Sequence, residues 1–110
     1  MTNAELLKKA IEGVKKYDKK PDEKLLAALV KNYAIVLRRT DTSLVSCSDP
    51  KELETVKKNF LIKKLGLKDS AKLDEAIKKV CETMKAERRK SRAVFYYLLI
   101  KDFGKEKVFV

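Results

Sequence analysis

The side chains best placed to do chemistry in this chain are two cysteines, Cys47 and Cys81, and a dense basic segment holding Lys85, Arg88, Arg89, Lys90 and Arg92. The chain has no histidine, so it lacks the commonest general base, the usual catalytic partner of a Ser or Cys nucleophile, and the commonest transition-metal ligand. Cys47 stands two residues before a helix start at Asp49-Pro50, where a helix N-terminus would favour a thiolate, while the Asp49 carboxylate would oppose it. A reactive thiol at Cys47 is thus one reading and a plain, partly buried thiol the simpler one. Cys81 falls on an apolar stripe between Ile77 and Met84 and reads as core. Sequence leaves the geometry of a Cys47–Cys81 bridge undecided, and the reducing poise of a cytosol argues against it. Two cysteines without CxxC spacing offer too few soft ligands for zinc.

The basic segment adjoins the start of the last helix, where a phosphate would also meet free N–H groups. It contains three of the five arginines, which suit bidentate phosphate contacts better than lysine does. Its blander reading is a solvated connector between helices. Lys57, Lys58, Lys63 and Lys64 lie on the polar side of the preceding helix, and whether they join the same surface is not readable from spacing. A helix-turn-helix around Gly66 is disfavoured, because the second helix would open on Asp69, Asp74 and Glu75 and repel phosphates. Tyr96 and Tyr97 could stack on bases, but neighbouring helical residues diverge by about 100°, and packing with outward hydroxyls is the better expectation. Glu75 and Glu82 share a helix face with Lys78 and Lys79 between them, an ordinary ion-laced surface. The three glycines, at 13, 66 and 104, form no phosphate loop. No cofactor or metal is expected, and no enzymatic activity.

These residues must be positioned by helices. The 110 residues suit one domain over 1–110. Leu6, Leu7, Ala10, Ile11 and Val14 follow a cap at Asn3 and predict a helix to near Asp18. Pro21, Asp22 and Glu23 open a second, which runs to about Arg39. Thr40 to Ser48 reads as a loop, or a short extended piece at Leu44-Val45. Asp49-Pro50 with Glu52 is the clearest start signal, for a helix that stops at Gly66. Asp69-Ser70 caps a fourth helix carrying Leu73, Ala76, Ile77, Val80 and Met84. Ser91 caps a fifth, Arg92 to about Phe103, apolar nearly all round and so the most buried. The tail Val108 to Val110 looks extended. The fold class expected is all-α, a bundle of about five short helices, with a core from Leu25, Leu29, Leu53, Val56, Phe60, Ile77, Val80, Phe95, Leu98 and Leu99.

The stretches Val45–Asp49, Glu52–Val56, Asn59–Leu61, Lys64–Leu67, Leu73–Ile77, Val80–Glu82 and Arg92–Leu99 resemble the small bacterial proteins of domain of unknown function two-eight-five-three. The resemblance spans about Val45 to Gly104, and the first 44 residues fit it in helical outline. It implies a compact bacterial protein and brings no activity, cofactor or site residue. The lead-in Ala86-Glu87-Arg88-Arg89-Lys90 departs from the family's more polar, asparagine-containing one.

Net charge is +11, from 27 basic and 16 acidic residues. Residues 51–110 carry 17 basic and 9 acidic groups, so an anionic partner should favour that half. The N-terminus, broken by Glu5, Lys8 and Lys9, does not read as a signal peptide, and the longest apolar run, Ala93–Ile100, is too short to cross a bilayer. A cytoplasmic protein is expected. Its expected function is that of a non-enzymatic interaction module with a protein partner or itself as a homodimer, motivated by so apolar a final helix. The rivals are a weak nucleic-acid or phosphate-ligand binder using residues 85–92 and a thiol-based redox or stress protein using Cys47.

Overall fold

The computed structural model describes residues 2–39 and 42–110. Helix α1 (Asn3–Val14) opens on a capping box, in which Glu5 N–H donates to Thr2 Oγ1 (3.2 Å) and Thr2 N–H donates to Glu5 Oε1 (3.3 Å). The expected cap, Asn3, lies inside the helix, and its Oδ1 accepts from Arg38 at 2.8 Å. Helix α2 (Glu23–Arg38) is capped by Asp22, whose Oδ1 accepts from Leu25 N–H at 3.1 Å. It bends at Tyr33, where φ is −117° and ψ 20°. Of the expected loop Thr40–Ser48, Thr40 and Asp41 lie outside the described residues.

Strand β1 (Leu44–Val45) pairs antiparallel with β2 (Lys90–Ser91), Leu44 opposite Ser91 and Val45 opposite Lys90. The extended piece expected at Leu44-Val45 thus has a partner, and that partner comes from the basic segment. Asp49 accepts from Lys51 N–H at 3.0 Å and starts helix α3 (Pro50–Thr55) with Pro50 in its first turn. Residues Val56–Lys64 continue as a π-helix. Four of the buried side chains here are Val56, Phe60, Leu61 and Leu65. At about 100° per residue an α-helix would set Leu65 half a turn away from Val56. The wider i→i+5 winding brings all four to one face.

The helix ends at Gly66, with φ of 72°, and Leu67 N–H donates to Leu61 O at 3.1 Å. Helix α4 (Ala71–Thr83) turns Leu73, Ala76, Ile77 and Val80 inward. Helix α5 (Arg92–Phe103) begins at Ser91, whose Oγ accepts from Val94 N–H at 3.5 Å, and closes at Gly104, with φ of 65°. The tail is not extended: Glu106–Val108 forms a 3₁₀ turn and Phe109 packs back on the core.

The fold is all-α, five α-helices with a two-residue ladder among the described residues. Helix α5 is its centre, with Ala93 to Tyr97, Leu99 and Ile100 all buried. It packs against α1, α2 and α4. Eight of the ten expected core residues are buried. Leu53 and Leu98 sit only partly buried at its edge. Tyr97, Leu26, Leu61, Met84 and Ile100 take fully buried places that sequence assigned less firmly. No helix among the described residues is long and apolar enough to cross a membrane.

Candidate functional site

Cys47 and Cys81 are joined in a disulfide, with Cα atoms 5.9 Å apart. This corrects the expectation of two unpaired cysteines, and leaves Cys47 without the free thiol that a helix N-terminus would have activated. Two anchors bring the sulfurs together. The ladder holds the segment after Val45 against Lys90, and the inward face of α4 fixes Cys81 one residue beyond buried Val80. Neither cysteine is fully buried.

The disulfide forms part of the wall of a surface cleft of about 360 Å³. Its lining residues are Val45, Ser46, Cys47, Ser48, Cys81, Lys85, Arg88 and Lys90. Three cations and two hydroxyls therefore face a common space with no carboxylate among the lining residues. Lys85 Nζ meets Glu82 Oε1 at 2.8 Å, and that hydrogen bond holds its ammonium above the usual lysine range. Lys90 Nζ donates to the carbonyl of Glu87 at 2.9 Å, which fixes its stem beside β2. Glu87 is itself held away from the cleft, accepting from Lys16 Nζ at 2.8 Å and from the Tyr17 hydroxyl. The Ser46 and Ser48 hydroxyls lie 3.3 Å apart.

Of the five basic residues singled out in sequence, Lys85, Arg88 and Lys90 line this cleft. Arg89 is exposed and is not part of the lining. Arg92 does something else. It is buried, with 7% exposure, and it donates from Nε to Thr42 O (2.6 Å), from Nη1 to the Tyr96 hydroxyl (2.9 Å) and from Nη2 to Leu44 O (3.2 Å) and Glu52. Buried, and with four hydrogen bonds to protein groups, this guanidinium is committed to the fold, so Arg92 is a structural residue and is removed from the candidate site.

The lysines of the third helix do not join the cleft. Lys57 pairs with Asp69 at 3.0 Å and Asp74 at 3.2 Å, near the start of α4 and at the other end from Cys81. Lys58 pairs with Glu54 at 3.4 Å, and Lys64 sits 5.2 Å from the Phe109 ring centre. Tyr96 and Tyr97 are both buried, as their packing role requires, but their hydroxyls find partners inside. Tyr97 donates to Asp18 Oδ2 (2.6 Å) and accepts from Asp22 N–H (2.9 Å), while the Tyr96 ring stacks on Phe60 at 3.8 Å between centres. Among the described residues no group of three or more His, Cys, Asp or Glu side chains is arranged to hold a metal ion.

The chain is thus a small helical domain with a basic cleft walled on one side by a disulfide. It belongs to the family described as Protein of unknown function (DUF2853), whose model matches residues 9–107. The match takes in the second half of α1 and all of α2, so the family extends well beyond the stretch from Val45 to Gly104 that its motifs suggested. No curated protein matches the sequence.

Proposed function

We propose that this chain is a non-enzymatic, cytoplasmic bacterial binding module that takes the phosphate backbone of single-stranded nucleic acid at the basic cleft. The observation that carries this reading is the convergence of Lys85, Arg88 and Lys90 with the Ser46 and Ser48 hydroxyls on one concave surface, where Glu82, paired with Lys85, offsets only one of the three cations. Point charges of this kind neutralise phosphates without reading bases, so binding is tolerant of sequence. The net charge of +11 adds long-range attraction. The apolar last helix, which had motivated a homodimer, supports it no longer, because α5 is buried within the chain itself. Ile35, Val108 and Val110 are the large apolar side chains left exposed among the described residues.

Fluorescence anisotropy with a labelled oligothymidine over a salt series tests this. Three cleft cations at about −0.7 each give an expected log–log slope near −2 on a single strand. The double variant Lys85→Glu with Arg88→Glu should lose at least about tenfold in affinity. Reversal of the exposed Lys24 and Lys31 on α2, an equal change in net charge, should lose much less. A slope near zero, or equal losses in the two double variants, rejects the cleft as the site.

A further inference from the structure

A disulfide in a reducing compartment is as a rule transient, catalytic or redox-sensing rather than a permanent staple. In this protein the Cys47–Cys81 bond lies where a reductant can reach it. Both cysteines are only partly buried, and both line the wall of a surface cleft. The same cleft carries Lys85, Arg88 and Lys90. Two acids near in sequence offset part of this charge, Glu82 by pairing with Lys85 at 2.8 Å and Asp49 from its cap on α3, and Arg88 and Lys90 leave the balance positive.

From this juxtaposition we infer that the bond is a thiol–disulfide exchange site for a small thiol bearing carboxylates, drawn in by the three cations. The thiolate sulfur of the reagent bonds to one cysteine sulfur as the Cys47–Cys81 bond breaks. The bond's electron pair leaves on the other cysteine as a thiolate, beside cations that stabilise it. A second reagent thiolate then attacks the mixed disulfide, giving two protein cysteines in reduced form and one molecule of the reagent's own disulfide. The protein gains two electrons and the two reagent thiols lose them. Positive potential acts twice here: it raises the local concentration of the anionic reagent and it lowers the basicity of the leaving sulfur.

Exchange shares its cations with the nucleic-acid reading above but needs no nucleic acid, so the two stand or fall separately. Oxidised full-length protein is mixed with glutathione or with 2-mercaptoethanol, and loss of the disulfide is followed by alkylation and intact mass. The ratio of the two rates cancels the intrinsic reactivity of the bond. In the wild type that ratio should fall by about tenfold between low and high salt, as electrostatic steering does. In the Lys85→Glu, Arg88→Glu variant it should start low and move little. The glutathione mixed disulfide should be trapped by acid quenching in the wild type.

A ratio insensitive to salt in the wild type overturns the inference, whether or not the double variant folds. So does a ratio unchanged in a variant shown by circular dichroism to be folded. Oligonucleotide binding with a salt-insensitive ratio sinks this inference alone. Steered exchange without oligonucleotide binding sinks the proposed function alone.

Discussion

The buried guanidinium of Arg92 pairs with the carboxylate of Glu52, a residue 40 positions earlier in the chain. With its bonds to the carbonyls of Thr42 and Leu44, Arg92 ties the start of α5 to β1 and to the first turn of α3. Removing the buried Arg92 leaves the half-buried Glu52 charge and two carbonyls without compensation.

Arg92→Ala should therefore destabilise the fold by about 3 kcal/mol. Arg92→Lys should recover little of that, since one ammonium cannot reproduce a planar fork aimed at three elements. Urea unfolding followed by circular dichroism measures both. A midpoint shift worth less than about 1 kcal/mol for the alanine variant would mean that the pair behaves as an exposed one.

At Gly13, α1 packs tightly against α5. A Cβ at position 13 would stand 2.8 Å from Val94 Cγ2. Gly13→Ala gains about 0.5–1 kcal/mol of helix propensity but overpacks a rigid, branched side chain at about 1–3 kcal/mol. The net expectation is destabilisation by about 1 kcal/mol. Val94→Ala opens the space, so the double variant should be more stable than the sum of the single effects predicts. Strict additivity in a double-mutant cycle would show that the helices part freely at this point.

Stability should fall at both ends of the pH scale. The Tyr97 hydroxyl bond holds the Asp18 carboxyl below its ordinary 3.8. Burial pushes the Glu87 carboxyl upward, but hydrogen bonds from Lys16 and Tyr17 outweigh it and the net shift is down from 4.5. Both carboxylates therefore stabilise the fold above their unfolded values, and this is lost as pH falls through the folded ones. Tyr97→Phe should remove the Asp18 share, flattening the acid limb.

In alkali the sign is reversed. Burial pushes the phenols of Tyr17, Tyr33 and Tyr97 from 10.0 to about 12. Their neutral forms favour the fold fully below pH 10, and that contribution disappears as pH rises from 10 to 12. Tyrosinate absorbance should rise together with loss of helical dichroism. Tyrosines that ionise near 10 in a chain still folded would contradict the burial of Tyr97 and the partial burial of Tyr17 and Tyr33.

The helices were legible because α1, α2 and α4 carry stripes at 3–4 spacing and local punctuation marks the ends of the others. Asp49-Pro50, Gly66 and Gly104 do their work within a few residues, where sequence speaks directly. The site was legible only in part. Charge counting found Lys85, Arg88 and Lys90, but it could not see that Arg92, in the same run, is pulled inside by Glu52 and two carbonyls. Nor could spacing show that Cys47 meets Cys81. That meeting depends on β1 lying against Lys90-Ser91, a ladder of two residue pairs that leaves no alternation to read. The tail misled for a related reason: Phe109 folds back on Phe60 and Tyr33, a contact made across the whole chain.

The wide coil from Val56 to Lys64 has a bearing on how the molecule comes together. Peptide geometry alone favours the narrower winding, so nothing within those nine residues prefers the form they finally take. Their pitch is imposed from outside, by the rings and aliphatic chains of other segments waiting to receive Phe60, Leu61 and Leu65. This stretch is thus held at its set by its seat, and a change in those outside segments should alter its pitch before any change within it does.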